Sequence, residues 1–137
     1  MRERFKRRLK PLLDFKGSAH QLALAFGLGI ILGVIPGTGA IAAATCAAIL
    51  RLNLPLMVAG ALLTNPVTVP FVYLGSYLLG EWLLGKWLPA GFLARLAVGT
   101  LLGNLILAVG FGFLGYLLAL GFIARIRAQR ARHPTLM

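Results

Sequence analysis

The chain has 137 residues, 59% of them hydrophobic and 12% charged, with a mean hydropathy of +0.87 and a net charge of +11. A soluble domain of ordinary make-up carries about 25% charged residues, so this composition excludes one and reads as a single integral membrane domain. The charge gathers at the ends. Arg2, Arg4, Lys6, Arg7, Arg8, Lys10 and Lys16 come before the first apolar run, and Arg125, Arg127, Arg130 and Arg132 follow the last.

Residues 1–16 form a basic arm. Phe5, Leu9, Leu12 and Leu13 are spaced to share a helical face along the headgroups. Pro11 interrupts that face, and a disordered basic tail is the alternative reading. A signal peptide would need a shorter basic region and a clear cleavage site, and neither is evident. Nucleic acid is not the expected partner, because no stacking platform interleaves the basic residues. Flanking lysines and arginines instead follow the positive-inside rule and meet anionic lipid, at about 1 kcal/mol each near the surface.

The membrane domain, residues 17–124, holds four apolar segments. The first runs from Ser18 to Ile35 and is closed by Pro36-Gly37-Thr38-Gly39. The second runs from Ala40 to Leu50 and ends at Arg51-Leu52-Asn53. The third runs from Leu54 to Gly80 and is interrupted by Asn65-Pro66-Val67-Thr68-Val69-Pro70, where two prolines remove backbone donors. The fourth runs from Phe92 to Ala124, before a basic tail at 125–137. Glu81 to Gly91 carries Trp82 and Trp87, which suit an interface.

The fold expected is therefore all-α and membrane-integral, with about four transmembrane segments that include short and proline-broken helices. A crossing takes about 20 residues, so the second segment is short and the fourth is long enough to tilt or project. Four crossings put both termini and Arg51 on the cytoplasmic side, with twelve of the fourteen lysines and arginines. The rival arrangement makes residues 40–63 a re-entrant hairpin and sends the C-terminal arginines to the far side. Ala25, Gly29 and Gly33, and separately Gly99 and Gly103, make small-residue ridges for close helix packing, within one chain or in a homo-oligomer.

Three helix starts carry the polar chemistry. Thr38, Asn53 and Asn65 can cap the helices that follow them, with Pro55 and Pro66 in first-turn positions. Exposed helix N-termini inside a membrane attract anions. Asn65 lies roughly 16 Å along a helix from Leu54, near the bilayer midplane. Broken backbone at such a depth needs protein or a water-filled cavity around it. Asn65 and Thr68 can equally serve only to cap and to satisfy freed carbonyls.

Arg51 either closes the second helix or forks onto a phosphate or carboxylate headgroup beside Asn53. Glu81 is expected to be an interfacial carboxylate near Lys86, and His20 a helix-start or headgroup contact. Asn104 is expected to bond another helix. The lone Cys46, among alanines, reads as a packing residue. No metal-ligand cluster, carboxylate pair or nucleophile motif is present, so neither an enzyme nor a cofactor is expected.

Several of these elements also resemble a known pattern. They are Gly17-Ser18-Ala19-His20, Ala23-Leu24-Ala25-Phe26-Gly27-Leu28-Gly29, Pro36-Gly37-Thr38-Gly39, Arg51-Leu52-Asn53-Leu54-Pro55, Thr64-Asn65-Pro66-Val67-Thr68-Val69-Pro70 and Tyr77-Leu78-Leu79-Gly80. In this order they resemble the bacterial domain of unknown function 2062 family. The resemblance implies a small bacterial inner-membrane domain, sometimes attached to glycosyltransferases, and brings no activity or catalytic residue. Gly37-Thr38-Gly39 departs from it, since many relatives have a bulkier residue after the proline.

The function expected is that of an oligomeric protein that binds or translocates an anionic amphiphile, such as a lipid phosphate. Arg51, Asn53, Asn65, Thr68, Thr38 and Gly39 are the candidate ligand-binding residues, and Pro36, Gly37, Pro55, Pro66 and Pro70 the structural breaks. The alternatives are a scaffold docking a partner membrane enzyme, and an ion or water channel.

Overall fold

A computed structural model describes residues 17–37, 39–87 and 90–132. The basic arm, Thr38 and the last residues of the C-terminal tail lie outside the described residues. Those described form five helices. Helix α1, Ala19–Val34, starts in a capping box: Ser18 Oγ accepts from the Gln21 N–H at 3.1 Å, and Gln21 Oε1 accepts from the Ser18 N–H at 3.2 Å. These reciprocal bonds satisfy two N–H groups that the first turn leaves open. Past Pro36 the chain turns through Gly37, whose φ of +80° favours a residue without a Cβ.

Helix α2, Gly39–Leu50, ends on Arg51, the one non-glycine among the described residues with a positive φ, +53°. The Leu52 N–H then reaches back to the Ala47 carbonyl at 3.0 Å, the long bond of a Schellman close. Helix α3, Leu54–Leu62, is capped by Asn53, whose Oδ1 accepts from the Leu56 N–H at 3.1 Å. After the Asn65 turn, helix α4 covers Val69–Leu84. Helix α5, Phe92–Arg132, has 41 residues and a length of roughly 60 Å. It stays helical eight residues beyond the expected end at Ala124, because arginines are good helix formers although they end the apolar run.

Contacts along α5 give the order of packing. Arg127 lies at Gly17, Gly112 at Gly27, and Ala108 beside Val34 and Val72. Asn104 then meets Ser76, Gly99 meets Gly80, and Arg95 meets Glu81. Helices α1 and α4 therefore both run antiparallel to α5, one beyond the other, and α4 begins where α1 ends. Helix α3 runs parallel to α1, with Met57 at Gly29 and Ala61 at Gly33. Helix α2 closes the group through a cluster of Ala25, Ala43, Ala47, Met57 and Ala61.

This core is built from small residues. A Cβ on Gly29 would fall on the Met57 carbonyl, one on Gly33 on Ala61, and one on Gly103 on the Ser76 carbonyl. Backbones this close gain dispersion contacts along their whole length and leave large side chains on the outside. Ala25, Gly29 and Gly33 thus pack α1 on α2 and α3, while Gly99 and Gly103 pack α5 on α4.

Candidate functional site

The Asn65 turn is closed by its own side chains. Asn65 Oδ1 accepts from the N–H groups of Val67 at 2.9 Å and Thr68 at 3.2 Å. Thr68 Oγ1 in return accepts from the Asn65 N–H at 3.0 Å and approaches the carbonyls of Leu63 and Asn65 at 3.3 and 3.1 Å. This is a capping box with threonine in the third position, and Pro66 stands where no N–H is needed. The turn is exposed, yet its own atoms make the bonds that the prolines removed.

The polar residues divide into two places. The two breaks come together: Pro36, Gly37, Gly39, Thr64, Val69 and Tyr73 line one cavity of about 240 Å³ where α1 meets α4. Arg51 and Asn53 are at the opposite end of α2, roughly 18 Å away along its twelve residues. Asn53 Oδ1 is bonded to the α3 backbone, and exposed Arg51 holds the left-handed turn. Pro55 lines a different and larger space, and Pro70 sits in the first turn of α4.

That larger space is a groove of about 950 Å³ between α3 and α5, floored by α1. Phe26 and Ile30 form the floor. Pro55, Ala59 and Leu63 form one wall, and Phe111, Leu114, Leu118 and Phe122 the other. Thr64 and Thr68 close one end beside the broken turn, and Arg127 and Arg130 stand at the other. Arg127 donates from Nη2 to the Gly17 carbonyl at 2.7 Å, which ties the start of α1 to the basic end of α5. A second tie joins His20 Nδ1 to the Tyr116 hydroxyl at 2.6 Å, with the rings edge to face.

Away from the groove, α4 meets α5 through a buried polar pair. Asn104 donates from Nδ2 to Ser76 Oγ at 3.4 Å, and the Ser76 hydroxyl donates to the Val72 carbonyl at 2.7 Å. Further along, Arg95 grips Glu81 with two bonds, of 3.1 and 2.7 Å. Lys86, the expected neighbour of Glu81, lies past the end of α4 and is exposed, while the first turn of α5 presents Arg95 directly. Among the described residues, no three His, Cys, Asp or Glu side chains gather as a metal site would require.

The chain matches the model of a bacterial family described as "Uncharacterized protein conserved in bacteria (DUF2062)" over residues 2–132. The protein belongs to this family. Neither a curated protein nor a solved structure matches it. Within this DUF2062 member, reading the sequence for site residues missed Arg127, Arg130, Tyr116 and Ser76, while the bond expected of Asn104 to another helix is made, to Ser76. A signal for the arginines was present: Phe122, Ile126 and Arg130 follow one another at intervals of four, so the apolar stripe of α5 runs directly into the basic tail.

Proposed function

We propose that the protein is a membrane-embedded binder of anionic amphiphiles, whose groove between α3 and α5 receives the hydrocarbon. The groove carries this reading. It has the volume of a small-molecule site, its walls are apolar, and its ends are polar. Helix α5 is long and apolar enough to cross a bilayer, and only 17% of its most apolar stretch is buried inside the chain. Phe71, Trp82, Trp87 and Phe92 are each more than 70% exposed, which suits lipid or a second copy rather than water.

The packing favours fewer full crossings than four. Helices α1 and α2, of 16 and 12 residues, are shorter than a crossing. Their turn at Pro36 lies level with Ala108, close to halfway between Arg95 and Arg125 on α5. In the proposed topology, α1 and α2 form a half-depth hairpin, while α3–α4 and α5 each cross. Both termini and Arg51 then stay on the cytoplasmic side, as the distribution of basic residues requires. The small cavity at the two breaks falls at mid-depth, where irregular backbone must be enclosed by protein or line a cavity.

Flux of a fluorescent lipid phosphate in proteoliposomes tests the proposal, with Ala59→Trp as the variant. Ala59 is exposed on a groove wall, so the indole fills the groove without entering the core. Lipid retained by the wild type and lost in the variant supports binding, and flux lost with it supports translocation. Retention without flux identifies a scaffold. Equal retention by both proteins removes the groove as the site.

A further inference from the structure

Resting on the groove reading, we infer that the groove is a length gauge for the acyl chain of a bilayer glycerolipid, with Val34 and Thr64 as the stop for the chain's methyl end. Two spaces abut at these residues. Val34 and Thr64 line both the large groove and the small cavity at the two breaks. The first turns of α4 divide in the same way, with Thr68 and Val72 toward the groove and Val69 and Tyr73 toward the cavity. The stop is firm from behind. Val34 is 3% exposed and packs with fully buried Ala108 and with Val72. Past Ala108, α4 lies against α5, and the backbone contacts at Gly103 and Gly99 leave no room for a chain. Thr68 is held by the hydrogen bonds of its own turn.

The other end and one side are open. Ile126 and Arg127 stand at the mouth, beside the start of α1. Leu114, Leu118 and Phe122 on the α5 wall are each more than half exposed, so a chain can enter sideways from the surrounding hydrocarbon. The helices then set the length. Leu22 and Val34 mark the floor, roughly 18 Å apart along α1, and Phe111 and Ile126 mark the wall, roughly 22 Å apart along α5. Neither helix contains a proline, so neither is broken along this stretch. An extended alkyl chain advances about 1.25 Å per carbon, from bonds of about 1.5 Å at a near-tetrahedral angle. The groove therefore matches a straight chain of about 14 to 18 carbons, a few ångströms more than the ~15 Å depth of one leaflet. A shorter chain leaves the side chains at the stop without contacts, and a longer one has to fold back or project from the mouth.

Competition among phosphatidic acids with one head and saturated tails of about 10 to about 22 carbons tests the gauge, read by native mass spectrometry of the full-length protein. Retention is expected to peak between about 14 and 18 carbons and to fall at least about threefold at either extreme. Thr64→Phe puts a ring into the blind end and should move the peak shorter by about four carbons. Thr64→Ala opens the groove toward the small cavity and should move it longer by about two. Thr64 is half-buried and outside both core clusters, so the two variants are expected to fold, and the wild-type peak needs no variant at all. A flat or steadily rising profile in the wild type overturns the gauge, as does a peak that neither variant moves. A dimer that retains no lipid makes a second copy the occupant and overturns it as well. The groove reading fails separately, when Ala59→Trp retains the whole series like the wild type.

Discussion

Helix α5 is packed in two different ways along its length. Toward its N-terminus it faces only α4, with Gly99 against Gly80 and Gly103 against Ser76, and the buried space left between them takes one polar pair. Toward its C-terminus it faces α1, where Gly27 and Gly112 meet backbone to backbone and the side chains of Ile31 and Ile30 reach over Gly112 and Gly115. Helix α3 sits on α1 rather than on α5, and the groove is what remains between them. Glycine thus closes both halves, and the second adds isoleucine side chains to the contact. The difference between an adhesive contact and a binding space in this protein is a matter of whether a third helix stands beside the pair: α3 does so only in the C-terminal half of α5.

Substitutions along α5 can break this contrast. The largest effect is expected for Gly103→Ala, whose methyl would fall on the Ser76 carbonyl beside the Gly80 amide. Backbone cannot yield as a side chain does, so a loss of about 3 kcal/mol is expected, read as earlier thermal unfolding in detergent. Asn104→Leu removes the polar bond between α4 and α5 while Ser76 keeps its bond to Val72. The expected loss is about 1 kcal/mol, in line with hydrogen bonds between membrane helices. Gly110→Ala should act in the opposite direction. A Cβ there meets nothing within 4 Å, and alanine raises helix propensity, so a gain of about 0.5 kcal/mol is expected. A loss at Gly110, together with a change in elution volume, would mean that a second copy covers this face.

Much of the helix layout was legible in the sequence. Ser18, Asn53 and Asn65 marked starts, Pro36 and Arg51 marked stops, and the apolar segments gave four of the helix starts to within a residue. The interruption at Asn65-Pro66 was readable as a break, and its closure by Thr68 as one of two meanings. Partners across the fold were not legible. Nothing in the spacing told Arg95 from Lys86 as the mate of Glu81, because the choice depends on how the link from α4 to α5 turns. Arg51 and Asn65 stand at opposite ends of α3, as the roughly 16 Å expected between Leu54 and Asn65 implies. The groove was hidden because it needs three helices that no local pattern places together.

The turn between α3 and α4 also bears on mechanics. Its hydrogen bonds begin and end among residues 60–69, with no donor or acceptor borrowed from another helix. Because these bonds run from the last turn of α3 through Leu63 to Thr68 and Val69, swinging α4 about this point would strain them. The glycine contacts and the Asn104 bond on α5 add a second hold on the same helix. The direction of α4 is therefore set twice, at the turn and along α5, and softening the α5 contacts alone would leave α4 anchored at its first residue.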